Sequence, residues 1–181
     1  MTYTQKLIYL YQRLFWGCEK YARHIGVKIG DKCDIGTRNF GSEPYLIEIG
    51  NRTQITSGVS FYTHGGSWAF RQKYPDFDFF GKIKIGNNVY IGNYALILPG
   101  VTIEDNVIVG AGAVVTKSVP SGVIIGGNPA KIIGKTEVYE KKILPYNLNT
   151  KKMSYKEKMQ FLLLLDDNKF QKKEYLKLNN D

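Results

Sequence analysis

Histidine is nearly absent from this chain, with two in 181 residues, His24 and His64. A three-histidine zinc site cannot be assembled within one chain, so no metal is expected. Cysteine is as scarce. Cys18 and Cys33 form neither a CxxC pair nor a Cys/His ligand spacing, which excludes a disulfide framework and points to a reducing, cytoplasmic setting. Near the N-terminus the longest apolar run, Leu7–Tyr11, ends at Gln12 and Arg13, too short for a signal-peptide core or a membrane span. Acidic residues are outnumbered as well. Lys and Arg total 25 against 16 Asp and Glu, a formal charge of +9. Such a balance favours anionic ligands without naming one: nucleic acid, an anionic membrane face and a phosphorylated cofactor all carry the right sign.

What the chain does have is a period. Ile85, Ile91, Ile97, Ile103, Val109 and Val115 recur every six residues, and Val89, Ala95, Val101, Val107, Ala113, Val119 and Ile125 follow four residues behind. A helix of period 3.6 would spread a six-residue series around its whole circumference, and a plain strand would alternate every two residues without punctuation. A coil of short strands accounts for both series. One side chain per six-residue face points into a narrow core, and turn residues such as Gly86-Asn87-Asn88, Gly92-Asn93 and Asp105-Asn106 make the corners. Earlier coils carry Ile29, Ile35, Ile49, Ile55 and Phe61. The gap from Ile35 to Ile49 exceeds a multiple of six by two, so a small bulge is expected near Phe40–Tyr45. From Phe61 to Ile85 the phase survives although residues 62–82 lack the repeat, which implies a looped-out excursion.

Three segments follow. Residues 1–25 place Leu7, Leu10, Leu14, Cys18, Tyr21 and Ile25 at helical spacing, an amphipathic helix that packs on the body or, as the functional alternative, lies on a membrane. Residues 26–135 are the β-helix with its excursion 62–82. Residues 136–181 are a lysine-rich, helix-forming tail, read as a solvated face with a binding role as the alternative.

The repeat and the segments Phe40-Gly-Ser-Glu-Pro-Tyr-Leu-Ile47, Phe61-Tyr-Thr-His64, Ile85-Gly-Asn-Asn-Val-Tyr-Ile-Gly92, Leu98-Pro-Gly-Val-Thr-Ile103, Gly110-Ala-Gly-Ala-Val-Val-Thr-Lys117 and Gly126-Gly-Asn-Pro-Ala-Lys131 resemble the bacterial sugar O-acetyltransferases of the hexapeptide-repeat acyltransferase family. The resemblance implies a mainly β fold, a left-handed parallel β-helix. It also implies a homotrimer of prisms with intersubunit active sites, acetyl-CoA as acyl donor in the groove between subunits, and a histidine as general base. His64 is the histidine within the repeat region, beside Gly65-Gly66, and a sugar hydroxyl needs such a base to attack a thioester at neutral pH. His24 is read as a cap or surface residue. The other imidazole nitrogen needs an acceptor, for which Glu43 ranks ahead of Asp76, Asp78 or a backbone carbonyl.

By the same resemblance Tyr90 stands near the thioester, Asn93 and Ala111 along the pantetheine, and Thr116, Lys117 and Lys131 near the nucleotide phosphates. Solvated corners are the plainer reading of the two lysines. Many relatives carry Asp-Gly after the histidine where this chain has Gly65-Gly66, so no aspartate role is carried over. In the excursion Trp68 offers a ring for a sugar face, with Arg71 and Glu43 as polar partners for the acceptor, a sugar, nucleotide-sugar or glycan; its aromatics suit packing against a neighbouring subunit equally well. N-acetylation of an amino sugar is the runner-up activity and a non-enzymatic anion-binding module the third reading. Nucleic acid is disfavoured because the lysines sit in the tail and the aromatics in the excursion. Membrane association is not the leading reading.

Overall fold

Strands of two or three residues gain nothing alone, and this chain stabilises each by laying it beside its counterpart in the next coil. The computed structural model describes residues 4, 7, 10, 11 and 16–175. Its first face comprises β1 (Lys28–Ile29), β3 (Ile47–Ile49), β6 (Ile83–Ile85) and β9 (Thr102–Ile103). The second comprises β2 (Asp34–Ile35), β4 (Gln54–Ile55), β7 (Tyr90–Ile91), β10 (Ile108–Val109) and β12 (Val123–Gly126). The third comprises β5 (Ser60–Phe61), β8 (Leu96–Ile97) and β11 (Val114–Val115). Pairing within each of these faces is parallel.

The register reports every irregularity. Lys84 pairs with Thr102, Tyr90 with Ile108 and Leu96 with Val114, a coil of eighteen residues. Asp34 pairs with Gln54, two residues longer, and the surplus lies at the bulge that contains the helical turn Pro44–Leu46. Gln54 pairs with Tyr90, so the excursion adds one coil's length without disturbing the stack. Near the C-terminal end the coil is two residues short: Ile108 pairs with Ile124, and Ile103 bridges Val119. Val119 and Ile125 therefore stand where the strand series would continue, not in the trailing series to which their spacing assigned them.

The core also departs from one inward side chain per face. Both series point inward: Ile85, Ile91, Ile97, Ile103, Val109 and Val115 are buried, and so are Val89, Ala95, Val101, Val107 and Ala113. The trailing residue follows each corner and fills the vertex of the triangle, which a single strand residue could not reach. At the N-terminal end larger side chains take over, with Phe40 and Phe61 stacked at 5.4 Å.

Most corners use a residue in the left-handed region, and between the first and second faces that residue is mostly not glycine. Lys32, Arg52, Asn88 and Asn106 hold φ between 52° and 59° there, followed by Gly122. A side-chain ladder holds this column: the backbone N–H of Asp31 donates to Asn51 Oδ1 at 2.8 Å, that of Asn51 to Asn87 Oδ1 at 2.8 Å, and that of Asn87 to Asp105 Oδ1 at 2.7 Å. The bonds from the Asn87 backbone and side chain hold the Asp105 carboxyl below its ordinary pKa. Asn87→Ala removes one rung and leaves the Asn51 N–H unpaired, so chemical denaturation should show a loss of about 1–2 kcal/mol.

The two ends of the coil are closed differently. At the start α1 (Cys18–His24) buries Tyr21 and Ala22, and Cys18 and Ile25 pack against the core. The single helix expected over residues 1–25 is not continuous: Thr4, Leu7, Leu10 and Tyr11 are helical, but the chain bends at Trp16 and α1 starts after Gly17. Leu7 and Leu10 are half exposed, and Leu14 lies outside the described residues. At the finish β13 (Lys131–Lys135) turns back antiparallel on β12 and covers the open edge of the second face.

The described residues from Glu137 onward form a second compact unit. It contains most of α2 (Thr136–Ile143) and all of α3 (Tyr155–Leu163), the latter started by a capping box between Ser154 and Glu157. Neither helix fully buries a residue; the lysines are exposed, while Tyr139, Ile143 and Leu162 are half-buried.

Candidate active site

The corner between the third and first faces gathers the reactive groups. Gly41 has φ +66°, and a Cβ there would meet the Phe61 carbonyl oxygen at 3.0 Å, so glycine lets the bulge lie against the next coil. Two residues on, Glu43 reaches that coil. The Thr63 hydroxyl donates to Glu43 Oε2 at 2.5 Å, and His64 Nδ1 lies 2.8 Å from the same oxygen. A carboxylate only accepts, so Nδ1 carries the proton and Nε2 keeps its lone pair. Nε2 has no hydrogen bond among the described residues, and the His64 side chain is 39% exposed while that of Glu43 is 15% exposed.

Burial pushes the Glu43 carboxyl up, but the hydrogen bonds from Thr63 and His64, with the attraction of the imidazole, outweigh it and leave the group below the ordinary glutamate value. Phe80 presents an edge-to-face contact to the imidazole at 5.7 Å, and the backbones of His64 and Phe80 bridge antiparallel at the root of the excursion. The Gly81 N–H donates to the Thr63 carbonyl at 2.7 Å, closing that root.

The other two carboxylates named from sequence do not face the ring in this way. Asp78 accepts from the Ser67 hydroxyl at 2.9 Å and from the Phe79 N–H at 3.0 Å, which braces the excursion from within. Asp76 is exposed. Trp68 lies in the helical turn Ser67–Phe70 and is 82% exposed. Arg71 sits over it at 5.9 Å, donates to the Phe77 carbonyl and approaches Asp78 at 3.8 Å, so its charge is already matched within the excursion. His24 makes an edge contact with Trp16 at 5.0 Å.

The remaining candidates separate onto two edges of the prism. Thr116 and Lys117 follow β11 and occupy the same edge as His64, two coils further on, roughly 10 Å at about 4.8 Å per coil. Asn93 and Ala111 lie on the edge between the second and third faces, joined by the Gly112 N–H donating to the Asn93 carbonyl at 2.8 Å. Tyr90 projects from the second face, 40% exposed, and Lys131 opens β13 after the Asn128-Pro129-Ala130 turn. Lys117 and Lys131 are exposed and carry no ion pair or hydrogen bond among the described residues, and the Ala111 N–H meets no acceptor there, so these groups suit phosphate oxygens and an amide-bearing chain. Sequence reasoning missed Thr63 and Phe80. Thr63 was within reach: two residues after the inward Phe61 it must also face inward, and a buried hydroxyl needs a partner.

Comparison with known proteins places this three-faced parallel coil in a family. Residues 82–117 match the bacterial transferase hexapeptide (six repeats) family. Protein CapG of Staphylococcus aureus is 56% identical over 161 residues, 87% of this chain and 91% of CapG. The galactoside O-acetyltransferase of Escherichia coli K12 is 38% identical over 93 residues, 50% of this chain and 45% of that enzyme. In three dimensions, a galactoside acetyltransferase in complex with coenzyme A shares the fold with a TM-score of 0.57 at 24% identity, covering 76% of this chain and 82% of that one. The chain belongs to the hexapeptide-repeat transferase family, on its acyltransferase branch.

Proposed function

We propose that the protein transfers an acetyl group from acetyl-CoA to a hydroxyl of a sugar, a unit of a surface glycan or its activated precursor, in the cytoplasm. The observation that carries this reading is the His64 ring, fixed through Nδ1 by Glu43 with Nε2 unpaired among the described residues. Nε2 accepts the proton of the acceptor hydroxyl as that oxygen bonds to the thioester carbonyl carbon. When the carbon–sulfur bond breaks, the same proton passes from Nε2 to the departing sulfur, and the ring returns to its starting state. Glu43 stabilises the imidazolium between the two transfers, and Thr63 holds the carboxylate in place. Trp68 serves as the platform for the sugar ring and Tyr90 stands near the thioester.

The two edges call for a second subunit. His64 and Lys117 flank the third face on one side, Asn93 and Ala111 on the other, and that face is roughly 15 Å wide at about 3.3 Å per residue. Its outward residues, Ser60, Tyr62, Leu96, Leu98 and Val114, are uncharged, whereas the first face shows Lys28, Glu48 and Lys84 to water. Three left-handed coils with their third faces toward a common axis bring the His64 edge of one against the Ala111 edge of the next. The donor then lies in that groove, its phosphates toward Lys117, Lys131 and Thr116.

A thiol-release assay with acetyl-CoA and a panel of sugars tests the activity. Turnover on hydroxyl acceptors supports it, and turnover on amino sugars alone would overturn O-acetylation. For the donor, Lys117→Ala and Lys131→Ala should each weaken acetyl-CoA binding several-fold in calorimetry. Binding of a truncated pantetheine thioester should hardly change, and the gap should narrow at high salt because exposed charges are screened.

A further inference from the structure

Among the described residues Tyr94 is the one aromatic held in the left-handed region, at φ 60°. A bulky side chain is strained there, and the corners before and after it on the same edge use glycine, Gly58 at φ 74° and Gly112 at φ 68°. The stack imposes the conformation. The Tyr94 N–H donates to the Ser57 carbonyl at 3.1 Å, and the Gly112 N–H donates to the Asn93 carbonyl at 2.8 Å. The Tyr94 ring leans back against Gly58, where a Cβ would collide with it. Little else covers that ring: Tyr94 is 70% exposed, and its side chain makes no hydrogen bond or ring–ring contact among the described residues. Packing within the chain does not account for an aromatic at this corner, and strained residues of this kind cluster at ligand sites.

We propose that the Tyr94 ring of one subunit is a wall of its neighbour's acceptor site, stacking on the C–H face of the sugar whose hydroxyl meets His64. The proposal rests on the transferase and trimer reading above, and level along the coil supports it. Gly58 precedes β5 and His64 follows it, so both belong to one coil, whereas Asn93 lies one coil further on and Ala111 two. By leaning on Gly58, Tyr94 sets its ring at the level of His64 although its own corner belongs to the next coil. With the third faces toward a common axis, the neighbour's Gly58 corner comes opposite His64 within the roughly 4.8 Å that separates coils. The donor candidates Asn93, Ala111, Thr116 and Lys117 all lie further toward the C-terminal end. The ring therefore stands beyond the thioester, on the acceptor's side. Its flat apolar face matches sugar C–H groups rather than the phosphates or amides of the donor.

The test varies the acceptor at saturating acetyl-CoA, with a panel of hexoses, N-acetylhexosamines and hexuronates, in the wild type, Tyr94→Gly and Tyr94→Phe. Glycine adopts the left-handed corner without strain, so Tyr94→Gly removes the ring and keeps the turn. It should raise the KM of the best acceptor about five- to tenfold, with kcat and the Kd for acetyl-CoA within about twofold and the melting temperature unchanged or higher. Tyr94→Phe keeps the ring and should stay within about twofold of wild type. A wild-type KM in Tyr94→Gly would overturn the proposal, as would a Tyr94→Phe variant equally impaired. A lower melting temperature, loss of the trimer or an equal loss of acetyl-CoA affinity in Tyr94→Gly would make the ring a packing element and overturn it too. Doubly tagged mixed trimers of His64→Ala and Tyr94→Gly subunits locate the contact. If the ring serves its neighbour, each mixed trimer has one site with both groups and shows a component of wild-type KM; if only the raised KM appears, the contact between subunits is overturned. Saturation-transfer NMR with the aromatic protons irradiated reads sugar binding without turnover. Transfer to sugar C–H protons that falls in Tyr94→Gly supports the wall even if no sugar is acetylated. Transfer that is absent or unchanged overturns it, and acetylation by the wild type then leaves the transferase reading standing.

Discussion

His64→Ala should lower kcat at least roughly 10²-fold, the usual scale of a general base, while the Kd for acetyl-CoA and the melting temperature stay close to wild type. The size follows from the acceptor: a sugar hydroxyl cannot attack a thioester at neutral pH without losing its proton, and no other described side chain shares the ring's position. The small effect on folding follows from exposure, since the ring is 39% exposed and its one hydrogen bond among the described residues goes to Glu43. Glu43→Gln should cost less, because an amide oxygen still accepts from Nδ1–H but lacks the charge that stabilises the imidazolium. The pH response of Glu43 follows from its lowered pKa. A carboxyl whose folded pKa is depressed contributes stability above its unfolded value of 4.5, and that contribution is lost as pH falls through the lower folded value. Glu43 is thus ionised throughout the neutral range. Full activity in a folded His64→Ala variant would falsify the base assignment.

How much of this was legible in sequence differs by element. The six-residue period defines the faces because each inward isoleucine or valine is a physical requirement of a narrow core. Phase alone located both the two-residue bulge and the excursion. Phase failed at Thr116-Lys117-Ser118, where the short corner hands Val119 and Ile125 from one series to the other without breaking the six-residue spacing. The left-handed corners at Lys32, Arg52 and Tyr94 were equally hidden, since nothing in an arginine or a tyrosine announces positive φ; stacking by the neighbouring coils imposes it. In the N-terminal segment the amphipathic pattern outweighed a plain stop signal, Gly17. At the corner of the site, the pairing of Glu43 with His64 depends on a bulge whose length could be counted but whose path could not. Thr63 joins them because the inward alternation of β5 continues past its last residue.

Mixing two inactive variants should restore activity if the site lies between subunits. His64→Ala removes the base from one edge, and Ala111→Trp fills the groove on the other with a bulky ring. Ala111 is exposed, so the core beneath it, including Ala113, is not disturbed. Each variant alone should fall below roughly 1% of wild-type turnover, and each should remain a trimer of about three times 20.6 kDa by light scattering. In random mixed trimers an intact site needs its base from an Ala111→Trp subunit and its groove from a His64→Ala subunit. Every mixed trimer has that pairing at one of its three interfaces, so co-expressed, doubly tagged trimers should recover about a third of wild-type activity. The outcome discriminates because the two edges of one prism cannot meet: the third face stands between them. Were the site contained in a single chain, every subunit in the mixture would carry a lesion and activity would not rise above the sum of the two variants. That result would remove the neighbouring subunit from the catalytic groove and leave His64 to be served by groups on its own edge.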